Sequence, residues 1–170
     1  MQALRYEAIG LDYFDSAPVR FDARIVVAAS TRALWRVFED NEAWVDFEFG
    51  IDEATWTTPP PLRPGSRRHV TLNRWIGGGV VDEVFFEWKP FECFAFYMED
   101  GTSDRIEAYG ELWTLRDLGD ERTEVRCRTA CSLKGKGLNA IARFLSPVVE
   151  LGYKSTLGSF RRVVEGRHAE

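Results

Sequence analysis

No apolar run in these 170 residues approaches the roughly 18 to 20 that would cross a bilayer. The opening stretch, Met1-Gln-Ala-Leu-Arg-Tyr-Glu7, has none of the apolar core of a signal peptide. Histidine is scarce: of the two, His168 sits in the tail and only His69 lies in the body of the chain. One histidine cannot build a metal site, and no Cys/His/Asp group has ligand spacing, so neither a metal nor a cofactor is expected. Cysteine is limited to positions 93, 127 and 131, an odd count. Cys127 and Cys131 are four apart on one expected strand, which separates their Cα atoms by roughly 13 Å, too far for a disulfide. A reducing, cytoplasmic setting is therefore expected. Basic charge is also short: the net charge of −5 argues against nucleic acid, which would require a basic face. Gly77-Gly78-Gly79 lacks the Lys-Ser/Thr of a phosphate loop and leads into a strand, so it reads as a hairpin turn. There are no internal repeats, linkers or low-complexity segments.

What is present is a long amphipathic stretch and a run of alternating ones. From Leu138 to Val164, apolar or small residues recur at steps of three and four (Leu138, Ile141, Ala142, Leu145, Val148, Val149, Gly152, Thr156, Phe160, Val163), one face of a helix. Such a helix would extend roughly 40 Å and needs a long surface to lie on. Pro147 should bend it near Phe144–Leu145, and Gly166 is a plausible stop. Upstream, Phe21–Ala28 reads as a strand, Ser30-Thr31 caps a helix to Glu39, and Asp40-Asn41 caps a second from Glu42 to Phe47. Period-two patterning then predicts strands at Ile51–Thr57, Ser66–Ile76, Val80–Trp88, Cys93–Glu99, Arg105–Leu118 and Arg122–Leu133, separated by Pro- and Gly-rich turns, among them Asp100-Gly101. Residues 1–19 have no clean period and are expected to form an extension packed on the domain or on a second subunit. The main body, residues 20–166, is then one α+β domain. A curved antiparallel sheet of seven strands wraps around the terminal helix, with two short helices between its first and second strands.

The segment Ala29-Ser-Thr-Arg-Ala-Leu-Trp-Arg-Val-Phe-Glu-Asp-Asn-Glu-Ala-Trp44 resembles the opening helices of the START/Bet v 1-like (SRPBCC) superfamily, in particular its polyketide cyclase/dehydrase-like branch. Leu62-Arg-Pro-Gly65, Glu87-Trp-Lys-Pro90 and Glu121-Arg-Thr-Glu-Val125 are further matches, and the similarity spans roughly residues 20 to 165. The resemblance implies a helix-grip fold with an apolar cavity between sheet and terminal helix. It also implies a hydrophobic guest, such as a lipid, polyketide or aromatic metabolite. It does not choose between a carrier and an enzyme.

Alternation then assigns faces. If Trp113 and Leu115 face the helix, Tyr109 and Glu111 point into the cavity, where Glu111 would be desolvated and able to move a proton; otherwise Glu111 is simply solvated. Arg74 shares parity with Val70 and Leu72 and would then enter the cavity to hold a carboxylate or carbonyl; the other reading leaves it exposed near a strand end. Glu111, Arg74 and Tyr109 are the catalytic candidates. The expected ligand contacts are Trp44 and Phe47 as a lid, Leu72, Arg74, Tyr109, Glu111 and Trp113 on the sheet, and Phe144, Val148, Tyr153 and Thr156 on the long helix. Aromatics make up 14% of the chain, and two strands carry bulk on both faces (Phe85 against Phe86; Phe94 and Phe96 against Tyr97). An outward apolar face of this kind supports a homodimer. With few acid/base residues in view, a binder of a hydrophobic small molecule is preferred over a cyclase/dehydratase-like enzyme.

Overall fold

The computed structural model describes residues 3–135 and 137–168. In chain order the elements are β1 (Leu4–Arg5), α1 (Tyr13–Ser16), β2 (Val19–Val27), α2 (Thr31–Glu39), α3 (Asn41–Phe47), β3 (Ile51–Trp56), β4 (Ser66–Leu72), a 3-10 turn (Arg74–Ile76), β5 (Gly79–Lys89), β6 (Cys93–Gly101), β7 (Ile106–Gly119), β8 (Arg122–Leu133), α4 (Leu138–Phe144) and α5 (Ser146–His168). The sheet is curved, open and antiparallel, in the order β2-β8-β7-β6-β5-β4-β3. The seven expected strands are there, joined by an eighth, β1, which pairs with β6.

The boundaries follow local chemistry. Ser30 Oγ accepts from Ala33 N at 3.4 Å and opens α2, while Asp40 Oδ1 accepts from Glu42 N at 2.9 Å and opens α3. Strand β4 ends at Leu72, four residues short of the expected Ile76. There the Asn73 side chain accepts from Trp75 N at 2.8 Å and caps a turn that alternation could not reveal. Asp100-Gly101 is strand and not turn, because β6 continues alongside β1. At the far end, α4 stops at Phe144 and α5 starts at Ser146, so the bend falls where Pro147 placed it. Proline needs no N–H in a first helical turn. Helix α5 runs through Gly166 to His168, two residues past the expected stop.

The core lies between the concave face of the sheet and α2, α3 and α5. It is largely aromatic: the Phe38 ring stacks on Phe160 (4.8 Å between centroids), Phe94 stacks on Trp113 (6.0 Å), and Trp35 meets Trp88 edge-on (5.0 Å). A bulge between Phe85 and Glu87 brings Trp88 onto the same inward face as Phe85 despite their odd spacing. Four of the six tryptophans (35, 44, 88 and 113) are buried, so most of the aromatic excess goes into packing. Helix α5 is held unevenly. Leu157, Phe160 and Val164 are buried, whereas Val149 and Leu151 in its first two turns are exposed.

The convex face is covered by the start of the chain. Phe14 and Ala17 are buried there against Ala95 and Ala130, with Ile9, Tyr13, Phe86 and Leu112 around them. The outward aromatic face that argued for a homodimer is thus occupied by the protein's own N-terminal residues, and that argument lapses.

Candidate functional site

Where the first half of α5 stands off β4–β7, a cavity of about 450 Å³ opens. Strand β4 contributes Arg68, Val70 and Leu72, and β5 contributes Glu83. Phe96 and Met98 come from β6, and Tyr109 and Glu111 from β7. Trp44 and Phe47 on α3 and the turn Glu48–Ile51 form a second wall. Helix α5 adds Val149, Gly152, Tyr153, Ser155, Thr156 and Ser159, and Ile76 sits at the rim.

Two polar groups dominate. On one side Glu111 is buried and accepts at both oxygens. Tyr109 Oη donates to Oε1 at 2.6 Å, Tyr153 Oη reaches the same oxygen at 3.2 Å, and Trp113 Nε1 donates to Oε2 at 2.8 Å. The two tyrosine hydroxyls are 2.7 Å apart. Burial, then the charge of Glu111, holds both phenols well above their usual range, so they remain hydrogen-bond donors. On the other side is Arg68, whose Nε donates to Glu83 Oε2 at 2.7 Å; both side chains are out of solvent. Nη2 touches the same oxygen at 2.7 Å, yet neither Nη1 nor Nη2 makes an oriented hydrogen bond among the described residues. The guanidinium lies 4.1 Å from the Trp44 ring centroid, with Phe85, Trp56 and Phe96 also around it. Burial raises the Glu83 carboxyl despite Arg68.

Glu48 completes the set. It lies in the turn after α3, where its Oε1 accepts from Gly50 N at 3.4 Å. Burial, and next the nearby charge of Glu111, push its pKa up to about 7. A carboxyl poised there can both give and take a proton near neutrality. Cys127 is a different case: burial and then Glu111 hold its thiol well above its ordinary value, which removes it as a nucleophile. Among the described residues no three His, Cys, Asp or Glu side chains come together to hold a metal ion.

Of the residues expected at the site, Trp44, Phe47, Leu72, Tyr109, Glu111, Tyr153 and Thr156 stand in the cavity wall. Arg74 does not. The turn that ends β4 leaves it exposed, its guanidinium 5.2 Å from the Trp75 ring centroid. Phe144 is 84% exposed, because the break after α4 turns it away from the sheet. Trp113 stands behind the wall in the aromatic core and reaches the site only through its bond to Glu111. The side chain of Val148 lies outside the described residues. Arg68, Glu83 and Glu48 were missed. Arg68 and Glu83 were open to the alternation argument, since Arg68 shares parity with Val70 and Leu72. Glu48 sits in an irregular turn and gave no periodic signal. The expectation of few acid/base groups is corrected accordingly: three carboxyls, two phenols and a guanidinium line one cavity.

Comparison with known proteins places this geometry in context. A family described as polyketide cyclase/dehydrase and lipid transport matches residues 18–165. An uncharacterised protein of Mycobacterium tuberculosis is 28% identical over 163 residues, covering 96% of this chain and 95% of the relative. Among solved structures, a Streptomyces aromatase/cyclase superposes with a TM-score of 0.71 at 17% identity, over 87% of this chain and 94% of that one. A START superfamily protein from Mycobacterium smegmatis gives 0.65 at 16% identity, over 88% and 96%. Among the described residues no helix is long and apolar enough to cross a membrane.

Proposed function

The chain belongs to the polyketide cyclase/dehydrase and lipid transport family, and from that premise we propose that it binds a small molecule with a largely apolar, ring-bearing body and at least one acceptor oxygen. The observation that carries this reading is Arg68. Arg68 is among the residues that line the cavity, its side chain is out of solvent, and Nη1 has no partner among the described residues. Buried donors are rarely left unmade, because each costs about 1–3 kcal/mol. A ligand carbonyl, enolate or phenol oxygen would satisfy it, while the aromatic walls take the rest of the guest.

The experiment is native mass spectrometry of protein purified from its own host, repeated on Arg68→Lys. Lysine keeps the charge and loses the planar fork. An oxygenated apolar metabolite retained by the wild type and bound about tenfold more weakly by Arg68→Lys is the expected result. Wild-type protein that comes off empty, and that takes up no oxygenated aromatic compound added to it, would remove the reading.

One observation favours a second reading, an enzyme of the cyclase/dehydratase kind. Glu48 has a carboxyl near pH 7 on the same cavity as Arg68. It could take a proton from a carbon beside a carbonyl while Arg68 holds the enolate oxygen, and return a proton to a departing hydroxyl as water leaves. For this reading Glu48→Gln should keep binding and lose turnover of a poly-β-ketone substrate. Unchanged turnover excludes Glu48 from the chemistry.

A further inference from the structure

We propose that Tyr6, on an N-terminal segment that precedes the family match, is the end-stop of the cavity and sets the longest guest it takes. The inference rests on the cavity-binding reading above and concerns the end of the cavity where β6 and β7 part.

Strands β6 and β7 are paired from Cys93–Thr114 to Tyr97–Gly110 and no further. Beyond that point the start of the chain fills the gap and bonds to both. Leu4 and Arg5 pair with Gly101 and Asp100, Tyr6 N donates to Glu99 O on β6 at 2.8 Å, and Glu7 N donates to Glu107 O on β7 at 2.8 Å. As in any strand, alternate side chains take opposite faces. Arg5 goes outward to Glu99, and Leu4 and Tyr6 go inward.

The inward position is fixed by register. Ala54, Val70, Val81 and Gly101 stand side by side across β3, β4, β5 and β6, and Val70 is cavity wall. The Tyr6 ring lies over the last of these. A Cβ on Gly101 would sit 2.6 Å from Tyr6 Oη, so only glycine leaves room for the ring. Tyr6 is buried in one cluster with Ala54, Val70, Val81 and Met98. Val70 and Met98 line the cavity and belong to the same buried cluster as Tyr6. The ring thus belongs to the layer that backs the wall, and the most adaptable member of that wall is Met98, an unbranched thioether that repacks readily. The Tyr6 hydroxyl is fastened from both directions, donating to Ser103 O at 3.1 Å and accepting from Ser103 N at 3.0 Å. A guest extending along the sheet from Arg68 past Val70 meets this anchored ring.

The test is a length series. 4-Alkylphenols of increasing chain length are titrated by displacement of 1-anilinonaphthalene-8-sulfonate from wild type, Tyr6→Ala and Tyr6→Phe, with the thermal midpoint of each protein recorded. Each methylene that finds buried space should tighten binding about fourfold. In the wild type that gain stops at a limiting length. In Tyr6→Ala it should continue for about two or more further methylenes, and Tyr6→Phe should keep the wild-type limit. Should Tyr6→Ala fail to fold, Tyr6→Leu, which keeps apolar bulk but is shorter, must move the limit in the same direction. A ring that only filled the core would lower the midpoint of the shortened variant and leave the limiting length where it was, and that result overturns the end-stop alone. No binding by wild type at any length takes down the cavity-binding reading, and the end-stop with it.

Discussion

At the scale of single residues, the site is governed by the burial of its carboxyls, with few counter-charges to offset it. Among the described residues lining the cavity, Arg68 is the sole cation, and it is engaged with Glu83. Glu48 responds by holding its proton: its pKa is about 7 in the folded chain against 4.5 for an ordinary glutamate. Folding therefore takes up a proton between those values, and the stability tied to this group is full below pH 4.5, falls as pH rises to 7, and is flat above. Glu48→Gln should abolish that slope and leave the protein about 3 kcal/mol more stable than wild type at pH 8. Thermal melts of both proteins from pH 5 to pH 8 check it; parallel curves would refute the assignment. Much of this site was open to sequence reading. Alternation offered Tyr109 and Glu111 as inward if Trp113 and Leu115 face the helix, and the same parity argument on β4, not applied to Arg68, would have offered it beside Val70 and Leu72. It failed at Arg74 because Asn73 captures the backbone N–H of Trp75 and ends the strand, a cap signal that period-two counting does not see. Glu48 was hidden for a different reason: its environment is made first by burial in the folded chain and then by Glu111, distant in sequence, and no local pattern encodes either.

At the scale of elements, periodicity and turn chemistry placed every long strand to within a few residues, because the two faces of each strand meet different surroundings and Pro- and Gly-rich turns separate them. The errors fall where a tertiary partner extends or displaces an element. β6 is longer because β1 lies beside it, and the bulge in β5 shifts the faces of Phe85 and Trp88 into agreement. Residues 4–7 gave no readable signal, since a strand bonded on both sides over so short a length has no room for a period. Helix α5 buries three residues of its second half, of which Phe160 is fully buried and meets Phe38, Phe47 and Trp113. Phe160→Ala should cost about 3–5 kcal/mol. Urea unfolding would show it as a lower midpoint with an unchanged slope, and a loss under 1 kcal/mol would mean the contact is not an anchor.

At the scale of the whole molecule, the hollow exists because the curved sheet and helix α5 pack closely along only part of their length. Amide hydrogen exchange should report this directly. Residues 149–156 of α5 should exchange faster than residues 157–164, and a saturating guest should slow the first group with little effect on the second. Uniform protection along α5 would contradict the uneven packing seen here. The helix is in effect a beam clamped at the end that carries Leu157, Phe160 and Val164 and held more lightly toward its first turns, where Tyr153 bonds to Tyr109 and Glu111 and stacks on Phe21. A beam held that way deflects most at its tip for a given load. Guests of differing girth can thus be accommodated by small swings of the first two turns, while the clamped half, and the thermal stability that depends on it, stays as it was.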